Sequence, residues 1–489
     1  MRRVLILAIV AICAAACGDD GGGRRGGGGG AGGDGGHVGH GGHGGAGGVG
    51  GGTGGSGGAL PSGPSEADAS ESGTRLRVRY LDAGGGARMT FDFWDSELEE
   101  GCSFREAGDG VLRCLPANER SVAFVDGDCT QPVMAATECT DWGYDPEGNI
   151  YRRTETPAVV GDTYYIRYDG TCLEVFRDPD TAFRVAERVE FDAFVRGSWK
   201  GEAREGGMVA RFIEGADGSR ILVETVDGMR GHRCRFDQTG HCTPDALEPL
   251  FLDSACTELI VHVDGEPPAR LPVIDYNHIR CRRGIDVYER GASVSPEKVY
   301  YRNFTGSCVE TVVREGSYFR VGDRVPIGAA FPPAFVEHEG EGDLRALVRR
   351  DAEGALLGRA HAFWDATRDV VCTPTAIPGG EVACIPEQHA LAWTDFFADD
   401  TCSTARVGIA ACMGRAPEHV VLRGGGCREL PQLAYALDVF ERGAEMEGSY
   451  WQVSLDGACV ERDLPLRERA WRAGPSAMDR LPRLELRIE

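Results

Sequence analysis

Lysine is almost missing from this 489-residue chain: Lys200 and Lys298 stand against 50 arginines. Positive charge as a whole is short, with 52 Lys and Arg against 76 Asp and Glu and a formal net charge of −24. A phosphate backbone would be repelled by such a chain, so nucleic acid is not an expected partner. Long apolar runs are missing too. The stretch Val4 to Ile12 is about half of the roughly 20 residues that a membrane-spanning helix needs, and no later stretch approaches that length. Catalytic signatures are also lacking. Outside the glycine-rich segment there is no Gly-x-Ser-x-Gly elbow, and nowhere is there a phosphate loop or a His-Glu-x-x-His pair. The sequence therefore names no catalytic residue, no metal ligand set and no cofactor.

What is present begins with an address. Arg2 and Arg3 precede the apolar stretch, and the small residues Ala14, Ala15 and Ala16 lead to Cys17, the pattern of a secretory signal. The small residues ahead of a cysteine resemble the lipobox of bacterial lipoproteins, although Ala14 stands where leucine is usual. The resemblance implies that residues 1–16 are removed and that Cys17 is lipidated. From Gly18 to Gly58, 27 of 41 residues are glycine, and almost no side chain is large enough to offset the entropy of ordering. Residues 17–73 are read as a lipidated cysteine and a flexible tether, whose random-coil reach is about 40 Å. His37, His40 and His43 within it are read as solvated polar residues rather than a metal site, because a floppy site must be ordered as the metal binds.

Beyond the tether one unit occurs three times. Leu76-Arg77-Val78-Arg79-Tyr80 returns as Met208-Val209-Ala210-Arg211-Phe212 and as Leu344-Arg345-Ala346-Leu347-Val348, a period of 132 to 136 residues. Four further landmarks follow in the same order each time. They are Asp95, Asp227 and Asp365, each seven residues before a cysteine; Cys-x-Pro at Cys114, Cys242 and Cys384; Phe-x-Asp-x-x-Cys at Phe124, Phe251 and Phe397; and Gly-x-Cys ending at Cys172, Cys308 and Cys459. The repeats are placed at 74–205, 206–341 and 342–489, the last with an extra strand, because Arg483 to Ile488 copies the opening strand a fourth time.

Apolar residues alternate within a unit, as in Leu76, Val78 and Tyr80 against Arg75, Arg77 and Arg79, which is the period of a half-buried strand. The expected fold is all-β, with roughly eight strands per repeat. Eight strands divide into two four-stranded sheets, so the leading architecture is a six-bladed β-propeller; three tandem β-sandwich domains are the alternative. In a closed ring, the strand at Arg483 to Ile488 competes with the amino-terminal strand for one seat unless one of them extends a blade.

Export places the cysteines where disulfides persist. Alignment of the repeats pairs Cys102 with Cys114, Cys234 with Cys242 and Cys372 with Cys384. It further pairs Cys129 with Cys139, Cys402 with Cys412, Cys281 with Cys308 and Cys427 with Cys459. Cys172 and Cys256 are left free or joined to each other. His232 and His241 beside Cys234 and Cys242 offer a superficial zinc set, but both cysteines occupy disulfide positions of the repeat. Asp126, Asp253 and Asp399 are read as turn aspartates rather than calcium ligands, since a calcium site wants six or more oxygens at set positions. Tyr164, Tyr300 and Trp451 recur near the last strand of each unit, where cross-strand packing outweighs a sugar-stacking face. His262, His278, His338, His361, His389 and His419 are unrepeated, so one asymmetric site on the repeated scaffold has no sequence marker.

The Phe-Trp-Asp, Cys-x-Pro and Phe-x-Asp-x-x-Cys landmarks resemble uncharacterised cysteine-rich three-repeat lipoproteins of myxobacteria, over nearly the whole chain. The resemblance implies an envelope address and carries no activity or ligand. The functional expectation is a non-enzymatic binding or structural scaffold, held in the cell envelope by its lipid anchor and facing an envelope protein or a glycan. Gly18 after Cys17 leans the address toward the outer membrane. The competing expectation is a glycan-active hydrolase or lyase using carboxylates in a central channel or cleft.

Overall fold

The computed structural model describes residue 65 and residues 69–489 apart from 118–119, 137–139, 169–170, 177–180, 205–206, 237–239, 266, 276–283, 304–306, 388, 404–405, 412–415, 424–432, 455–456 and 465–467. Cys17, tether residues 18–64 and 66–68 with their three histidines, Cys139, Cys281, Cys412, Cys427 and His278 lie outside the described residues. The end of the expected tether belongs to the folded body instead: Ser70–Glu71 pairs with Ile221 and Arg220, and Ala69 is buried in the core.

The alternation read in the sequence becomes strand throughout: 61% of the described residues are strand and 3% helix, so the fold is all-β. No described helix is long and apolar enough to cross a membrane. Each repeat divides into two strand sets. The first is a four-strand meander, in repeat 1 Leu76–Asp82, Arg88–Asp95, Glu100–Glu106 and Leu112–Pro116, paired in sequence order. Leu344–Arg350, Phe363–Asp365, Val370–Ile377 and Glu381–Pro386 repeat it in the third unit. The second set is an outer sheet. It spans residues 120–189 with eight strands in repeat 1, 249–325 with seven in repeat 2, and 389–476 in repeat 3.

The meanders are linked in a circle. Gly197–Ala203, at the end of repeat 1, pairs with Met208–Gly215, the first strand of repeat 2. Phe335–Glu339 pairs likewise with Leu344–Arg350. Arg483–Ile488 completes the series by pairing with Leu76–Asp82, in the register Arg79 to Ile488 and Asp82 to Glu485. The fourth copy of the opening strand therefore lies beside the first copy and does not compete for its seat. One apolar cluster is shared by all three repeats, including Leu81, Met89 and Phe91 from the first, Ala210, Phe212 and Leu222 from the second, and Leu344, Val348 and Phe363 from the third.

These pairings correct both architectural expectations. Three independent tandem sandwiches would share no core, whereas one cluster here draws on all three repeats, beside clusters private to each outer sheet. Six equal propeller blades do not form, because the described sheets hold 4, 8, 2, 7 and 18 strands. The outer strand sets are larger than a four-stranded blade, and the meanders are spent on closing the ring.

Candidate functional site

The landmark residues first do structural work. Asp95, Asp227 and Asp365 are 0%, 1% and 1% exposed, which a lone carboxylate would not tolerate. Each caps the turn that follows it. Asp95 accepts the amides of Glu97 at 3.0 Å and Leu98 at 3.3 Å together with the Arg75 guanidinium at 2.7 Å. Asp365 repeats this with the amides of Thr367 and Arg368 at 3.0 and 3.1 Å and the Arg368 guanidinium at 2.7 Å. Asp126, Asp253 and Asp399 are turn aspartates as well. Asp126 takes the amides of Thr130 at 3.0 Å and Gln131 at 2.7 Å. Burial would raise its pKa, but these amide hydrogen bonds win and hold the carboxyl below the usual range.

The cysteine that follows each of these aspartates has a left-handed backbone, φ 53° at Cys129 and Cys256 and 48° at Cys402. Each is bonded to the last cysteine of its own repeat: Cys129 to Cys172, Cys256 to Cys308 and Cys402 to Cys459, with Cα separations of 6.0, 5.8 and 5.8 Å. This overturns the expected pairing of Cys129 with Cys139, Cys402 with Cys412, Cys281 with Cys308 and Cys427 with Cys459. Cys172 and Cys256 are likewise neither free nor joined to each other. The reason is strand order. The hairpin Thr163–Tyr168 and Thr171–Phe176 lies beside Ala123–Phe124, so Tyr165 pairs with Phe124 and the distant cysteine reaches the turn. Cys102–Cys114, Cys234–Cys242 and Cys372–Cys384 join neighbouring strands of the meanders or their equivalents. With both sulfurs of Cys234 and Cys242 spent, the zinc reading is set aside. His232 stands edge-on to Phe331 at 5.9 Å, and burial pushes its pKa down.

Register also corrects the aromatic series. Tyr165, not Tyr164, matches Tyr300 and Trp451: the three face Glu174, Glu310 and Glu461 across their hairpins. Each packs beside the Phe of its own sheet, at Phe124, Phe251 and Phe397. They do not assemble into one face.

A cavity of about 230 Å³ opens in the outer sheet of repeat 2. Pro249, Leu259, Val273 and Ile274 make its apolar wall, and Phe251 and Tyr288 its aromatic one. Arg302, Asp286, Thr257 and the Cys256 backbone supply polar atoms. Arg302 donates to the Cys256 carbonyl at 3.1 Å, and its guanidinium stands 5.7 Å from the Phe251 ring centre. The Tyr288 hydroxyl donates to Asp286 at 3.3 Å, and Asp286 also holds an ion pair with Arg324.

Repeat 1 has the same parts. Arg167 donates to the Cys129 carbonyl at 2.7 Å and stands 5.1 Å from the Phe124 ring centre. Tyr151 matches Tyr288, since they pair with Arg188 and Arg324 on equivalent strands. Here the chain fills the space with its own acid. Asp145, whose side chain is 0% exposed, accepts the Tyr151 hydroxyl at 2.9 Å and lies 3.9 Å from Arg167, while Glu147 takes Arg167 at 3.0 Å. Burial and the bond to Asp145 push the Tyr151 pKa up to about 12. Repeat 3 has neither residue at the matching register, and the guanidinium over Phe397 comes from Arg406 instead, at 4.3 Å. Phe440 stands where the tyrosine would, and Val453 faces Cys459 as Arg302 faces Cys308. The signal in the sequence is this alternation of Tyr151, Tyr288, Phe440 and of Arg167, Arg302, Val453 between the repeats.

A second asymmetric cluster sits at the start of the outer part of repeat 3. Burial pushes the Glu387 pKa up to about 7, against the nearby Arg349, and the Thr373 hydroxyl donates to it at 3.4 Å. Arg349 lies flat on His361, with both ring nitrogens at 3.3 Å, and its guanidinium is 5.4 Å from the Phe236 ring centre.

Neither a curated protein nor a solved structure matches the chain. A family model described as Family of unknown function (DUF7481) matches residues 62–422, and the chain belongs to that family.

Proposed function

We propose that this protein is a lipid-anchored binding scaffold of the cell envelope, without catalytic activity, and that the cavity of repeat 2 is its ligand site. The single observation that carries the reading is the cavity itself: an apolar and aromatic wall with a few convergent polar groups is the usual form of a small-ligand site. The closed, disulfide-stapled body supports it, because a rigid frame lowers the entropy cost of binding. The address rests on the signal, Cys17 and the glycine tether, and the outer membrane is the proposed destination. An envelope protein or glycan remains the expected partner of the exposed body. The glycosidase reading asks for two carboxyl groups about 5 to 10 Å apart. The cavity lining offers one, Asp286, so that reading is not carried further.

Two experiments test the proposal. Cys17→Ser should move the protein from the membrane fraction to the soluble fraction; a variant that stays bound removes the anchor. Pull-down from solubilised envelopes or a glycan array should return a partner for the wild-type protein. A scaffold that captures nothing on either loses its binding role.

A further inference from the structure

We infer that residues 69–76 are a releasable clasp on the ring: while they are seated, Arg483–Ile488 stays paired with Leu76–Asp82, and when they come away the ring opens at that seam. The clasp is independent of the cavity of repeat 2.

The seam is the place where the ring can open. At the other two closures the paired strands follow one another in the chain, Gly197–Ala203 and Met208–Gly215 across residues 204–207, and Phe335–Glu339 and Leu344–Arg350 across residues 340–343. Covalent continuity keeps such partners together, because a short loop costs little to close. Arg483–Ile488 and Leu76–Asp82 have all three repeats between them, so only non-covalent contacts hold them. Those contacts are thin. The one buried side chain of the closing strand is Leu484, which pairs with Val382 of its own repeat. Toward repeat 1 the strand offers the half-buried Leu486 opposite Leu81, and an Ile488 that is 51% exposed. Arg487 reaches Asp82 at 3.1 Å, but its side chain is half in solvent, where an ion pair contributes little.

Residues 69–76 sit on this seam and tie it to repeat 2. Ala69 is buried in the shared core, and Ser70–Glu71 pairs with Ile221 and Arg220 of the second repeat. Ser72 is the link. Its hydroxyl donates to the Glu489 backbone oxygen at 3.2 Å and accepts the Val78 amide at 2.9 Å, while the Glu489 amide donates to the Val78 carbonyl at 2.9 Å. One side chain thus joins the residue that follows the closing strand to the first strand. Asp217, in the first turn of repeat 2, fixes the backbone that presents Ser72. Its carboxylate takes the amides of Arg75 at 3.1 Å and Leu76 at 2.7 Å, and its carbonyl takes that of Thr74 at 3.0 Å. Gly73 lies so close that a Cβ there would stand 2.2 Å from the Asp217 carboxylate and 2.6 Å from the Ser219 amide nitrogen, so a side chain would displace the clasp. The chain before Ala69 continues directly into this stretch. Tension along it therefore bears on the clasp before it reaches any disulfide-closed outer sheet.

The test is hydrogen exchange read by mass spectrometry on the full-length oxidised protein. Ser72→Ala removes the link and should speed exchange of the Arg483–Ile488 amides about fivefold, the value of one hydrogen bond, while Gly197–Ala203 and Phe335–Glu339 keep their wild-type rates. Gly73→Val, which drives the backbone off Asp217, should speed the same amides more. A crosslink across the seam separates opening from general loosening. Asp82→Cys with Glu485→Cys joins residues that face each other in the register, and in that background both variants should exchange at the rate of the crosslinked parent. Melting curves show which variants fold, and Ser72→Ala, which removes one oxygen, carries the test if Gly73→Val unfolds. Wild-type rates in the closing strand of a folded Ser72→Ala protein, equal acceleration of all three closing strands, or acceleration that survives the crosslink overturns the inference.

Discussion

The outer sheets of repeats 1 and 2 are built on one frame and end in opposite states. Both carry a phenylalanine under an arginine, a left-handed cysteine whose carbonyl that arginine holds, and a tyrosine on the neighbouring strand. In repeat 1 a short loop returns Asp145 and Glu147 into the space, and in repeat 2 the space is a cavity. The difference among the described residues is which acid meets the tyrosine hydroxyl: the fully buried Asp145 beside Arg167 in repeat 1, and Asp286, paired with Arg324, in repeat 2. Repeat 3, with Val453 and Phe440, abandons the polar pair altogether.

Four measurements break or sharpen this contrast. The largest effect belongs to the shared disulfide. Removing Cys129 and Cys172 together, or Cys256 and Cys308 together, opens closed loops with separations of 43 and 52 residues, and each should cost about 4 kcal/mol in denaturant unfolding. Markedly unequal losses would mean that the two frames are not equivalent. Asp145→Ala comes next: it strips a fully buried carboxylate from Arg167 and Tyr151 and should cost about 3 kcal/mol. Acetate added to that variant should restore part of the loss, while wild-type stability stays constant; no rescue would deny that the repeat-1 space accepts a foreign acid.

Glu387 gives the third effect. Its folded pKa is about 7, above the ordinary carboxyl value, so the folded state binds the extra proton and stability falls as pH rises from about 4.5 to about 7. Glu387→Gln should flatten that decline by roughly 3 kcal/mol. An unchanged pH profile would assign the decline, and any pH effect seen near the cavity, to other groups. The smallest effect is expected from Asp286→Asn. Its partner Arg324 is 70% exposed, so solvent screens the pair and the loss should stay below about 1 kcal/mol. A loss as large as that of Asp145→Ala would make Asp286 the plug of repeat 2 and remove the contrast.

Much of the fold was legible along the chain, and the reason is local. Alternation of apolar residues marks strands because successive side chains point to opposite faces. The turn roles of Asp126 and Asp253 followed from short-range spacing, since a carboxylate reaches backbone amides a few residues ahead. The Cys129 to Cys172 bond was not legible, because it depends on a hairpin crossing beside Ala123–Phe124. Spacing alone does not tell Tyr164 from Tyr165 for the same reason: a one-residue change of register turns a strand's side chains to the other face.

The sequence by itself determined the threefold repeat, the all-β character and the local aspartate turns, since each is a matter of residues near one another in the chain. Only the tertiary structure decided that Arg483–Ile488 pairs with the first strand, which cysteines meet, and that Arg302 and Tyr288 border a space which Asp145 fills in repeat 1. These depend on register and strand order, which bring together residues far apart in sequence and leave no mark on the spacing of either partner.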